Sequence, residues 1–289
     1  SMESSTLPRL GLFGLGLMGS AIAVRAAQSG FSILGYDILP EQNQAFENEG
    51  HLTATSPKEV VDSSDWLVFS VMTTDQVRAT LTQCEAHLRR GQVVIDCSTG
   101  EPDTMAELGA WLAAREVDYL DATIAGNSAE TRDGNVLLLV GGATKPLERC
   151  QPFFRSFAKK TFHIGPQGYG ARMKLVFNLV LGLHRAVLGE ALGFADKLGI
   201  DRKTTLEILK TGTAYSYVME NKGTKILSED FSPQAKLQQH LKDVNLMMAM
   251  GERYGAKLPL SKEHQRLLSE LNDRGMGALD NCAIVKAFE

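Results

Sequence analysis

An apolar run that ends in closely spaced glycines and passes at once into a helical run leaves few folds open, and residues 9–30 have that form. Arg9 to Phe13 reads as a short buried strand, Gly14-Leu15-Gly16-Leu17-Met18-Gly19 follows directly, and an Ala-Ile-Ala-Val run carries the helical pattern to Gly30. In such a unit each glycine has its own task. Gly14 makes the tight turn, Gly16 lets the backbone reach a pyrophosphate, and Gly19 lets helix pack on strand. The pyrophosphate then rests on the N–H groups of the helix start, with Leu15, Leu17 and Met18 in the same loop. The hexapeptide alone is a weak signal, but the second strand, Phe31 to Tyr36, ends in Asp37. That is about the twenty-residue spacing of an acid that binds a ribose. An ordinary glycine turn explains neither Asp37 nor the strands that follow.

Strand and helix segments continue to alternate. Trp66 to Met72 reads as a strand, Asp75 to Leu88 as a helix, Gln92 to Asp96 as a strand, and Pro102 opens a helix. Ligands of such sheets bind beyond the carboxyl ends of the strands, which places Met72 and Thr99 at a coenzyme crevice. Simple packing is the competing reading for Met72, and a helix-capping hydroxyl for Thr99. Tyr119 to Ile124 is a further strand leaving into Ala125-Gly126-Asn127-Ser128. Its backbone N–H groups could cradle a carboxylate, or Asn127 could serve plain turn chemistry, and spacing does not choose between them. Asn135 to Val140 reads as a strand, Pro146 to Phe157 as a helix, and a last strand runs to Ile164.

From Gly165 to Asn178 a glycine-punctuated turn becomes a long apolar helix, and beyond it only helical periodicity appears. Further helices are expected after Asp201, from Gln234 to Tyr254 and from Ser261 to Asp273. Lys174 and Asn178 stand at i and i+4 on one face just inside the long helix. Gly168 and Gly170 would let a ligand approach the backbone closely. The expected fold is α/β: an N-terminal Rossmann-type doubly wound sheet over 1–165, then an all-α C-terminal domain over 166–289, joined by a long helix.

Bulk properties narrow the function. The 289 residues carry 30 basic and 34 acidic side chains, a formal charge of −4 with no basic block, which argues against nucleic acid as the main partner. Asn178, His184, Arg185 and Glu190 interrupt the apolar stretch from Leu175 to Ala195, so no membrane span is expected from it. Cys84, Cys97, Cys150 and Cys282 are scattered without metal-ligand spacing, so no metal is expected, and reduced core thiols suit a cytoplasmic protein. Asp37 can accept from both ribose hydroxyls and would repel a 2′-phosphate, and Ile38, Leu39 and Pro40 supply no arginine to hold one. NAD is therefore expected over NADP.

Taken together, Gly14-Leu15-Gly16-Leu17-Met18-Gly19, Asp96-Cys97-Ser98-Thr99, Asp121-Ala122-Thr123-Ile124-Ala125-Gly126-Asn127, the Gly168-to-Asn178 block and Lys242-Asp243 resemble the β-hydroxyacid dehydrogenase family, which includes 3-hydroxyisobutyrate and tartronate semialdehyde reductases. The resemblance implies that Lys174 is the catalytic acid/base, that Asn178 contacts a small hydroxyacid or semialdehyde, and that Thr99 and Lys242 touch the nicotinamide coenzyme. It also implies a homodimer or homotetramer built through the helical domain. The family's substrate loop normally reads Asp-Ala-Pro-Val-Ser-Gly-Gly, and here Thr123, Ala125 and Asn127 replace Pro, Ser and the second Gly. With Gly126 these are the candidate substrate-binding positions, and the lost serine hydroxyl removes a usual carboxylate contact. Two alternatives stand beside the dehydrogenase: an imine reductase of similar architecture, against which Lys174 and Asp37 both count, and a non-catalytic dinucleotide-binding interaction module, which would be expected to have lost Lys174.

Overall fold

The computed structural model describes residues 6–289. The first half runs β1 (Leu10–Phe13), α1 (Leu17–Gln28), β2 (Ile33–Tyr36), α2 (Pro40–Asn48), β3 (Leu52–Thr53), α3 (Pro57–Ser63), β4 (Trp66–Phe69), α4 (Thr74–Gln83), β5 (Val93–Asp96), α5 (Pro102–Ala113), β6 (Asp118–Ala125), α6 (Ser128–Arg132), β7 (Val136–Gly141), α7 (Thr144–Phe157) and β8 (Ala158–Gly165). The strands form one sheet in the order β3-β2-β1-β4-β5-β6-β7-β8. Neighbours pair in parallel except β6 with β7. The exception has a simple cause, because the short connection through α6 cannot make the crossover that a parallel return requires.

Every residue of β1, β4 and β5 is buried, as expected of strands covered on both faces. On one face Ile22 and Ala26 of α1 and Phe153, Phe154 and Phe157 of α7 pack on Leu12, Val68 and Ile95. On the other Val60, Val77, Leu81, Met105 and Leu112 from α3, α4 and α5 pack on Phe13, Leu67 and Val94. The chain goes from β1 outward to β2 and β3, then returns to β4 on the other flank of β1. The loops after β1 and β4 therefore diverge at the point where such sheets bind ligands.

The segments α2, β3 and α3 are not expected from the sequence. All three are short, and α2 buries only Phe46, so the apolar period that reveals a helix is nearly absent. The expected helix from Asp75 to Leu88 is α4 followed by a separate helical turn at Glu85–His87.

The second half is α8 (Tyr169–Lys197), α9 (Arg202–Thr211), α10 (Tyr217–Leu227), α11 (Leu237–Tyr254) and α12 (Pro259–Leu271), followed by a helical tail at Asn281–Phe288. Asp201 caps α9 by accepting from Thr204 N–H at 2.9 Å. The missed α10 follows a polar stretch and carries Lys222 on its buried side, which hides its pattern. The chain divides into two compact units after Lys174, inside α8, whereas the change from alternating strands and helices to helical periodicity alone places the boundary at 165/166. The reason is local: the first turns of α8 are bonded to β6. By length and composition α8 could cross a membrane; here Arg185, Leu188 and Leu192 are buried along it.

Two polar clusters lie inside the helical unit. Lys222 Nζ donates to Asp280 at 3.1 Å and to Gln234 Oε1 at 2.9 Å. Asp280 also accepts from the N–H groups of Gln234, Ala235 and Cys282. Burial alone would raise the Asp280 carboxyl, but these donors hold it well below its usual range. His240 of α11 and His264 of α12 stand with ring centroids 5.4 Å apart. Burial, with Arg185 nearby, pushes His264 down to about 4 and His240 well below its ordinary value.

An unfolded histidine takes up its proton near pH 6.5, so stability from the neutral buried rings is present above that pH and is lost as pH falls toward 4. Protection of α11 and α12 amides from hydrogen exchange should therefore decline between pH 7 and pH 5. The shift of His264 alone corresponds to about 2 kcal/mol at pH 5. In a His264→Leu variant the decline should be visibly smaller.

Candidate active site

The glycine-rich loop shows which glycines serve the protein and which leave room. A Cβ on Gly14, whose φ is +93°, would lie 2.1 Å from Ser70 O, and one on Gly19 would lie 2.0 Å from Gly14 O. Both are demanded by close backbone packing. A Cβ on Gly16 would meet nothing within 4 Å. Gly16 opens α1 without any side-chain cap, so the helix start presents its N–H groups beside open space. That combination fits a dinucleotide phosphate. Leu15 is buried in the core and Met18 is packed against it, while Leu17 projects outward with 78 % of its surface exposed.

Asp37 stands at the end of β2 and ties that strand to the glycine loop. One carboxylate oxygen accepts from Leu15 N–H at 2.8 Å and the other from Leu39 N–H at 2.9 Å. Asn43 fixes the same corner by bonding both the N–H and the carbonyl of Asp37. Each carboxylate oxygen retains a second acceptor position. Ile38, Leu39 and Met72 are exposed at the ends of β2 and β4. With Leu17 they give the carboxyl edge of the sheet an apolar rim.

For Met72 the simple-packing reading fails, since its side chain is 70 % exposed. Thr99 is also exposed, and it does not cap α5. That cap is Glu101, which accepts from the N–H groups of Asp103 and Thr104. Ser98 instead braces the crevice floor by accepting from Val71 N–H at 3.0 Å.

At the end of β6 the candidate substrate residues occupy different environments. Thr123 Oγ1 is buried and bonds Leu139 O at 3.2 Å and Gly170 O at 3.0 Å, both protein atoms. Ala125 is buried. Gly126 has φ +146°, and a Cβ there would press on Val136 at 2.5 Å. Asn127 is exposed and caps α6, accepting from Glu130 N–H at 2.8 Å while Glu130 accepts from its own N–H. The turn chemistry that competed with a substrate contact is thus realised, and it uses the amide oxygen.

The start of α8 corrects one expectation. Gly168 and Gly170 admit protein rather than ligand: Gly168 has φ +89° with Pro102 O 2.6 Å from a hypothetical Cβ, and a Cβ on Gly170 would lie 2.4 Å from Leu139 O and 2.8 Å from Asp121 Oδ2. Asp121 is fully buried and accepts from Gly168 N–H at 2.7 Å and from Ala171 N–H at 3.0 Å. Lys174 is the last residue of the first unit, one turn beyond Gly170. Asn178, one turn further, and Lys242, exposed on α11, belong to the helical unit.

Residues 9–165 match the family model described as the NAD binding domain of 6-phosphogluconate dehydrogenase, and residues 168–288 match the one described as NAD-binding of NADP-dependent 3-hydroxyisobutyrate dehydrogenase. The chain belongs to the β-hydroxyacid dehydrogenase family. This is a family of nicotinamide-dependent oxidoreductases, and both halves of the chain fall within it. Among relatives, the 2-(hydroxymethyl)glutarate dehydrogenase of Eubacterium barkeri is 28% identical over 100% of this chain and 96% of its own length. The 2-hydroxy-3-oxopropionate reductase of Escherichia coli K12 is 28% identical over 97% of both. The fold is that of Mycobacterium tuberculosis 3-hydroxyisobutyrate dehydrogenase solved with L-serine, at a TM-score of 0.89 and 23% identity over 98% of this chain and all of that one.

The two loop glycines of this β-hydroxyacid dehydrogenase relative should respond differently to a methyl group. Gly14→Ala should lose about 1–3 kcal/mol of stability from backbone strain alone. Gly16→Ala should lose no more than about 1 kcal/mol, the usual scale for a helix cap. Its nicotinamide coenzyme affinity should nevertheless fall at least tenfold, as measured by titration calorimetry beside thermal melts.

Proposed function

We propose that the protein is an NAD-dependent dehydrogenase that interconverts a small β-hydroxyacid and its semialdehyde, with Lys174 as general acid/base. The observation that carries this reading is the placement of Lys174: a lysine one turn into a helix whose start is bonded to the strand that carries the candidate substrate loop. The names borne by the two relatives, a hydroxymethylglutarate dehydrogenase and a hydroxy-oxopropionate reductase, support the substrate class.

The nicotinamide, when bound, supplies the acceptor and donor of the hydride. The chain's own work is to hold and to move a proton. The α1 start and Gly16 hold the phosphates, and Asp37 accepts from the ribose hydroxyls. The same carboxylate would repel a 2′-phosphate, and the exposed Ile38 beside it offers no compensating charge. Lys174 takes the hydroxyl proton during oxidation and returns it during reduction, and Asn178 orients the substrate from the same helical face.

The helical unit supports self-association. Val176, Val180, Val187 and Phe194 are all exposed on α8, at spacings of four, seven and seven residues. A heptad stripe of this kind suits a second copy of the same helix, because the seam is complementary to itself. Residues 176–194 therefore form the proposed homo-oligomer contact.

Lys174→Ala should lower kcat by about 10²- to 10⁴-fold while leaving coenzyme affinity nearly unchanged, and NAD should bind wild type more tightly than NADP. Steady-state kinetics with reduced-nicotinamide absorbance, paired with titration of both coenzymes, checks both statements; near-normal turnover in the variant would refute the role. For assembly, Val187→Lys combined with Phe194→Lys should convert an oligomer into single chains in light scattering. A monomeric wild type would contradict the contact.

A further inference from the structure

Two aspartates are buried side by side in the sheet. Asp96 on β5 and Asp121 on β6 are register partners, and neither has measurable exposure. Each is satisfied separately: Asp96 accepts from Tyr119 OH at 2.8 Å and Ser98 N–H at 3.0 Å, and Asp121 accepts from Gly168 and Ala171 N–H at the start of α8. A buried carboxylate costs several kcal/mol of desolvation, so neither is an inexpensive way to join a strand to its neighbours.

Asp121 differs from an ordinary helix cap in its reach. The usual cap lies immediately before the helix, whereas Asp121 contacts Gly168 and Ala171 across 47 and 50 residues of chain. Thr123, two residues on and so on the same side of β6, adds the bond to Gly170 O. Together they fix three of the four positions from 168 to 171 against the sheet, with the charge at the positive end of the helix. The missing side chain of Gly170 is what permits the approach. Lys174 lies three residues past Ala171, roughly 4.5 Å further along the axis at the usual rise.

We infer that Asp121 is a positioning residue, which acts through the first turn of α8 to set where Lys174 presents its amine. The inference rests on the reading of Lys174 as acid/base. Asp121 itself touches neither substrate nor coenzyme in this role; it fixes the register and tilt of the turn from which the lysine extends. Both carboxylate oxygens are needed as acceptors, since the two N–H groups approach different ones. A neutral acid keeps only one full acceptor and turns a hydroxyl toward the other donor.

The ionisable groups on the elements packed around Asp121 include Asp96 on β5, Tyr119 on β6, Asp103 on α5, and Tyr169, Arg172 and Lys174 on α8. Arg172 is paired with Asp103 at 3.4 Å, and the Tyr119 hydroxyl is given to Asp96. Burial raises Asp121 to about 6, with the two backbone donors pulling the other way and Asp96 adding to the rise. Acidification below that value would protonate the carboxylate and weaken the clamp.

The test uses Asp121→Asn and Thr123→Val in the full chain, with NAD and an acid that wild type turns over. Asparagine keeps the shape but faces one of the two N–H groups with its own amide donors. The expected result is a fall in kcat of about 10²-fold, the scale of a 1 Å misplacement. Coenzyme dissociation constant should be unchanged, and the acid limb of the kcat–pH profile near pH 6 should be gone. Thr123→Val, which keeps the shape and the neutral charge of the side chain and removes only the hydroxyl, should show a smaller loss in the same parameter. A purely structural carboxylate would lower stability and leave kcat and its pH profile alone. Wild-type kcat in both variants, or in Thr123→Val alone should Asp121→Asn fail to fold, overturns the inference. Persistence of turnover in Lys174→Ala is the separate result that sinks the underlying reading instead.

Discussion

Two hydrogen bonds from the start of α8 to one buried carboxylate set the geometry on which the rest of the site depends. The helix end carries partial positive charge and unpaired N–H groups, and Asp121 supplies the matching acceptor from within the sheet. Because the carboxylate is fully enclosed, the approach leaves no room for side chains around it. Gly141, Gly168 and Gly170 are all positions where a Cβ would strike protein atoms. Gly141 and Gly170 therefore follow from the clamp, and Gly168 from its positive φ and the approach of Pro102 O, rather than from a ligand.

The division of the chain has the same origin. Periodicity places a boundary where the last strand ends, but contacts carry the first unit on to Lys174. The candidate acid/base thus falls in the first unit and Asn178, a turn later on the same helix, in the second. Inside the helical unit a second polar centre, Lys222 with Asp280, joins α10 to the C-terminal tail, with every acceptor of the carboxylate used. Its satisfied geometry explains how a lysine with almost no exposure is tolerated there.

What the sequence disclosed was what local chemistry encodes. The strand, glycine loop and helix at the N-terminus, the acid at the end of β2 and the long apolar helix each leave a pattern within a single window. The elements it hid are those whose reason lies elsewhere in the chain. The segments α2, β3 and α3 are too short to show a period, and α10 is interrupted by a lysine that is buried only because Asp280 is there to meet it. The reversed strand β7 follows from the brevity of the α6 connection. Thr99 and Asn127 show the two outcomes of a weighed alternative: capping proved to belong to Glu101 in the first case and to Asn127 itself in the second. No sequence signal links Asp121 to Gly168, since the bond joins residues far apart, and only the fold brings them together.

The central claim is hydride transfer from a small hydroxyacid to a nicotinamide ring, and isotope tracing tests it most directly. The protein would be incubated with NAD and, in turn, with 3-hydroxyisobutyrate, glycerate, L-threonate and 2-(hydroxymethyl)glutarate, each deuterated at its carbinol carbon. Mass spectrometry of the reduced coenzyme then reads the transfer. The expected result is one deuterium at C4 of the nicotinamide from at least one of the four acids. Bound coenzyme with no deuterium incorporated from any of them would contradict it.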